Sequence, residues 1–84
     1  MIEIKFDETN QQAVAYDADI KIGECDYEEA GDTWNITHTS VSDAYQGQGI
    51  ARKLVESVIE NAEKQNKKLI ADCWYAAKIL DKRG

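Results

Sequence analysis

The chain has 84 residues, enough for one core, which predicts a single domain over 1–84. Apolar residues make up 43% and recur throughout, which excludes a disordered chain, and no apolar run nears the roughly 18 residues of a membrane span. The net charge of −6 is uneven: residues 1–45 carry eleven acids against two bases, and residues 46–84 five acids against eight bases. The acidic half would repel nucleic acid and argues against a DNA or RNA partner. It would attract a cationic substrate, although acids also serve simply to keep a small domain soluble.

The first half alternates in the manner of strands. "IEIKF" sets Ile2, Ile4 and Phe6 on one face, and "QAVAYD" follows, ending at a turn around Asp17 to Asp19. "IKIGECDYE" sets Ile20, Ile22, Glu24 and Asp26 against Lys21, Gly23, Cys25 and Tyr27. After a turn at "EAGD", "TWNITHTSV" sets Trp34, Ile36, His38 and Ser40 against Asn35, Thr37, Thr39 and Val41. Such short connections predict an antiparallel meander.

At Ser42 the period changes. Ile50, Ala51, Leu54, Val55, Val58, Ile59 and Ala62 follow helical spacing, which predicts a helix from about Gly49 to Gln65 with one face on a sheet. "KLIADCW" then reads as a short strand covered on both faces, and "YAAKILDKR" as a final helix packing through Tyr75, Ile79 and Leu80. The expected class is α/β (α+β), with a mainly antiparallel sheet and the order β-β-β-β-α-β-α. The N-terminus lacks the charge and apolar block of a signal peptide, so a cytoplasmic location is expected. Cys25 and Cys73 are then two thiols rather than a disulfide. Two cysteines and one histidine do not make a zinc set, and no metal is implied.

The stretch "YQGQGIARKL" places two glycines where the long helix begins. The first turn of a helix has unpaired N–H groups and partial positive charge, which favour an anion. Glycine lets the backbone approach that anion closely and adopt positive φ. Arg52 and Lys53 oppose the helix dipole, a local misfit that a bound phosphate would offset. A tight strand-to-helix turn is the plainer reading of the same glycines. Neither a dinucleotide fingerprint nor a Walker loop fits, because the third glycine and the Gly-Lys-Ser/Thr are absent.

Gln46-x-x-Gly49-x-Ala51 resembles the pyrophosphate-binding signature of the GNAT superfamily of acyl-CoA N-acyltransferases. "HTSV" before the loop and "CWYA" after the last strand resemble a very short GNAT-like branch, and the resemblance covers roughly Lys21 to Leu80. It implies acetyl-CoA as acyl donor, held by Gln46, Gly47, Gln48, Gly49, Ile50, Ala51 and Arg52. The pantetheine arm would lie along Val41, in a gap between the fourth and fifth strands. The helices that help build an acceptor pocket in larger members are missing between the first strands.

Three side chains are candidates for the chemistry. Cys73 precedes the last helix, whose N-terminus lowers a thiol's pKa, so it is either an acyl-accepting nucleophile or a small residue lining the cleft. A catalytic cysteine is also what the resemblance implies for this branch. His38, the sole histidine, is either a general base for the amine or a packed structural residue. Asp72 is a base or a solvent-facing carboxylate, and Tyr75 a general acid, a cap or a packing residue. The expected function is transfer of acetyl to a small amine or lysine-type acceptor, by direct attack on the thioester or through acyl-Cys73. The alternative is a CoA-binding or interaction module that transfers nothing.

Overall fold

The computed structural model describes residues 1–83. Strands β1 (Ile2–Asp7), β2 (Gln12–Asp17), β3 (Ile20–Ala30) and β4 (Thr33–Val41) run as a meander. A 3-10 turn at Asp43–Tyr45 leads to helix α1 (Ile50–Lys64), strand β5 (Lys68–Ala71) and helix α2 (Trp74–Arg83). The sheet order is β1-β2-β3-β4-β5, antiparallel except for β4 with β5, which are parallel. A parallel pair needs a long crossover, and α1 supplies it. The order and the α+β class match the sequence reading.

α1 buries Ile50, Leu54, Val55, Val58, Ile59 and Ala62 in a single stripe. These side chains meet Ala13, Ala15, Cys25, Tyr27, Trp34 and Ile36, and Ala76 and Ile79 of α2 complete the same core. Each fully buried aliphatic side chain contributes about 1.5–3 kcal/mol, so this stripe holds the fold together. Phe6, Tyr27 and Trp34 stack at one end, with the last two ring centroids 4.1 Å apart. At the other end a Cβ on Gly23 would lie 2.9 Å from the Ser40 carbonyl oxygen and 3.3 Å from Leu54. Only glycine allows α1 and β4 to close there.

Strict alternation fails at two bulges. Ala15 pairs with Gly23 and Tyr16 with Lys21, which leaves Ile22 as an extra residue in β3. Ile22 and Gly23 are consequently both buried, while Ile20 is 65% exposed. In β4, Tyr27 pairs with Ile36 but Asp26 with His38, so Thr37 is the extra residue. A bulge advances the phase by one. Trp34 and Ile36 therefore share the helix-covered face with Thr39 and Val41, and not with His38 and Ser40 as alternation predicts. β5 also departs from expectation. It is an edge strand with Ile70 53% exposed, so only one of its faces is covered. Among the described residues no helix lies over the opposite face of the meander, where His38 and Ser40 are exposed and Glu24 and Asp26 half-buried.

Candidate functional site

β4 and β5 stay together only from Thr33–Lys68 to Ile36–Ala71. There β5 stops, and the N–H groups of Asp72 and Cys73 both donate to the Ile36 carbonyl, at 3.0 and 3.1 Å. Asn35 braces the crotch: its amide donates to the Asp72 carboxylate at 2.8 Å and its carbonyl accepts the Asp72 N–H at 3.0 Å. Beyond this point Thr37–Val41 keeps β3 on one side and has no strand on the other among the described residues. The sheet forks, and the edge of β4 is left facing the start of α2. Asp72 thus acts as a tie at the base of the fork.

The glycine loop closes the open end. Gly47 (φ 81°) and Gly49 (φ 77°) both take the left-handed conformation, which glycine reaches without strain. Gly49 is the N-cap of α1 and brings no side chain to bond the first turn. A cavity of about 220 Å3 opens here, lined by Val41, Tyr45, Gln46, Gly47, Gly49, Ile50, Ala51 and Tyr75. The Gln46 amide donates to the Val41 carbonyl at 3.1 Å, which pins the loop to the end of β4. Six of the loop and strand residues singled out from the sequence therefore share one wall. Gln48 and Arg52 are not among its lining. The Arg52 guanidinium pairs with Glu56 at 3.3 Å and faces a neighbouring groove with Trp74, Lys78 and Lys82.

Cys73 sits between the fork and α2. Partial burial pushes its thiol up, but the Ala76 N–H, the Thr39 hydroxyl, and the Tyr75 and Thr39 N–H groups outweigh that and hold it below the ordinary thiol range. Cys73 directly precedes α2, whose first turn supplies the Tyr75 and Ala76 N–H groups. Its Sγ lies 3.5 Å from Thr39 Oγ1, which lies 3.5 Å from Cys25 Sγ. Cys25 is fully buried, and burial pushes its thiol up to about 12.

His38 lies on the other side of the sheet. It faces Asp26 across the β3–β4 pair, away from Thr39 and the core. Burial, then the neighbouring Glu24, raises Asp26 to about 6. Glu24 is lowered, first by the Asp26 hydrogen bond and then by Lys21, whose ammonium is 2.7 Å away. The open face thus carries an acid–acid–imidazole group, while the thiol belongs to the helix side. The two candidate catalytic residues flank β4 rather than meeting.

Sequence reading quotes Tyr45 and Thr39 within its motifs but gives neither a role of its own. The Tyr45 hydroxyl donates to Asp17 at 2.5 Å, fastening the loop to the β2–β3 turn. No local spacing signals that bond, because its partner is 28 positions away. Thr39 is hidden by the bulge that turns it inward.

A forked sheet, with a glycine-started helix at its open end, is the architecture of an acyl-CoA N-acyltransferase. The chain belongs to the GCN5-related N-acetyltransferase family, whose profile, described as GCN5-related N-acetyl-transferase, matches residues 6–84. A GCN5-like protein from Staphylococcus aureus is 36% identical, with a TM-score of 0.72, over 96% of this chain and 79% of that one. The ribosomal-protein-S18-alanine N-acetyltransferase of Escherichia coli shares the fold at 20% identity, with a TM-score of 0.74, over 92% of this chain and 56% of that one. Protein NATD1 of Homo sapiens is 36% identical over 46 residues, which are 55% of this chain and 41% of NATD1. This chain therefore matches less than half the length of that curated relative.

Proposed function

We propose that the protein transfers acetyl from acetyl-CoA to an amine, with the donor lying along the fork. The observation that carries this reading is the pair of left-handed glycines at a helix start without a side-chain cap, opening onto the edge of β4 that β5 leaves free. The pyrophosphate sits against the backbone of Gln46 to Ala51, where N–H groups and the helix dipole offset its charge. The pantetheine arm follows β4 from Val41 toward Thr39, which delivers the thioester beside Cys73. The Gln46 side chain then gives up the Val41 carbonyl to the arm.

The acceptor amine approaches from the open face. Glu24 and Asp26 there suit a cationic amine, and either His38 or Asp26 is placed to take its proton. In the direct route the amine nitrogen attacks the thioester carbonyl, the C–S bond breaks, and the CoA thiolate leaves and takes up a proton. The low-lying thiol of Cys73 favours a second route. Its thiolate attacks the same carbonyl, CoA leaves, and the amine then attacks acyl-Cys73 and releases the thiolate.

Amide-shift titration with acetyl-CoA tests the donor site. Residues 46–52 and the β4 edge should move at millimolar ligand, and a flat response there sinks the reading. Incubation with acetyl-CoA and no amine separates the routes: one acetyl mass increment that Cys73→Ala abolishes selects the acyl-enzyme. Binding without any turnover of an amine panel would leave a CoA-binding module instead.

A further inference from the structure

Thr39 is the middle of a three-atom line through the helix-covered layer. Its Oγ1 is 3.5 Å from Cys25 Sγ on β3 and 3.5 Å from Cys73 Sγ at the fork. As placed, the Cys73 thiol donates to Thr39 and the Thr39 hydroxyl donates to Cys25. That direction suits a neutral Cys73. A hydroxyl has one proton and two lone pairs, and it rotates to suit its neighbours. Both outer atoms are thiols, each able to donate or accept, so the line has two polarities.

We propose that this line reverses when Cys73 ionises, making Thr39 the positioning residue of the Cys73 thiolate and Cys25 the donor that backs it. In the reversed state the Thr39 O–H points at the Cys73 sulfur and the Cys25 S–H points at Thr39 Oγ1. The Cys73 S–H bond breaks and its proton leaves to solvent or to a base. The Thr39 O–H and the Cys25 S–H rotate, and both hydrogen bonds re-form in the opposite direction. The arrangement needs a second thiol that never ionises itself, and a fully buried cysteine meets that need. A buried thiol supplies a donor that costs little to desolvate. The helix N–H groups of Tyr75 and Ala76 act on the same sulfur, so the line supplements them from the opposite side.

Other ionisable groups surround the site. β3 adds Glu24 and Asp26 on the far face of the sheet, β4 adds His38, the chain just before Cys73 adds Asp72, α2 adds Tyr75, and Arg52 of α1 shares a groove with Tyr75. The Tyr75 backbone N–H acts on Cys73, and the charges of Asp26 and Glu24 act on Cys25. Substitutions at Thr39 and Cys25 leave these groups in place, so differences between variants read the line. Use of the thiolate in acyl transfer rests on the donor reading above, whereas the line itself is tested without any donor.

The test is the pH dependence of Cys73 alkylation by iodoacetamide, followed by peptide mass so that Cys25 is scored apart. Thr39→Val keeps the shape and removes the hydroxyl. It should raise the alkylation midpoint by about one pH unit, the scale of a hydrogen bond to a charged group. Thr39→Ser should hold the wild-type midpoint, and Cys25→Ala should raise it by about half a unit, since S–H is the weaker donor. A Thr39→Val midpoint within about 0.2 unit of wild type overturns the proposal. A second measurement needs no variant. In the wild-type chain the Cys25 carbon-13 Cβ signal should shift with the Cys73 midpoint while Cys25 stays protonated; a flat Cys25 signal through that titration refutes the line. If the line holds and acetyl-CoA leaves residues 46–52 unmoved, the donor reading fails alone.

Discussion

Replacing Asp26 with asparagine removes one half of a carboxyl pair on the open face of the sheet. Asp26 is raised to about 6, first by burial and then by Glu24, from an ordinary 3.8. The folded state therefore binds this proton more tightly than the unfolded one. Stability from Asp26 is complete below about pH 4 and is lost as the pH rises through about 6. At neutral pH the ionised residue is a net cost. A rise of this size corresponds to about 3 kcal/mol, and screening at a half-exposed site reduces it to about 1 kcal/mol. The carboxamide of the variant still donates to Glu24, which keeps its Lys21 partner. Thermal melts of both proteins should then show the Asp26→Asn variant higher by about 4–8 °C at neutral pH and equal to wild type near pH 4. Taking the difference between the two proteins cancels the other carboxylates. A variant less stable at neutral pH, or a difference that does not change with pH, refutes the argument. The same residue tests the acceptor side, since a proton acceptor working near pH 6 would leave a matching limb in the pH–rate profile.

Other substitutions probe the frame and the loop. Gly23→Ala puts a Cβ 2.9 Å from the Ser40 carbonyl and should cost about 1–3 kcal/mol by urea unfolding; an unchanged midpoint would show that α1 and β4 have slack. Gly49→Ala meets no atom within 4 Å, so only its left-handed φ of 77° is strained, at about 1–2 kcal/mol. Acetyl-CoA affinity should fall further, about tenfold or more, and equal losses in binding and stability would mark a purely structural turn. Among the described residues Tyr27 Oη is buried without a hydrogen-bond partner. Tyr27→Phe should therefore raise stability by about 1 kcal/mol, and a loss would reveal a bound water that the hydroxyl needs.

Much of this molecule is local and legible in its sequence. The α1 stripe from Ile50 to Ala62 fixes the long helix because helical spacing and burial agree. The turn into α1 is legible because glycines coincide there with the start of the helical stripe, whereas Arg52 turns to Glu56 and a neighbouring groove. The faces of β3 and β4 are not. A bulge is set by the partner strand, so nothing in "TWNITHTSV" says that Thr37 has no opposite number. Alternation consequently groups His38 with Trp34 and Ile36, and it hides Thr39. β5 misleads for a related reason: "KLIA" is apolar enough for a covered strand, but its place at the sheet edge depends on which strands pair. Tyr45 and Asp17 are joined by topology alone.

The short parallel seam between β4 and β5 also bears on how the chain assembles. The meander and α1 form from neighbours in sequence, which favours early and fast structure. β5 and α2 instead return across the whole of α1 to meet Thr33–Ile36. We predict that this C-terminal unit docks last and detaches first, as a subglobal opening with less than the full unfolding free energy. Hydrogen exchange reads it directly: amides of β5 and α2 should exchange before those of β2 and β3, and uniform protection would contradict this. The fork is then a joint between two cooperative units, and a donor spanning it would act as a staple, slowing exchange on both sides at once.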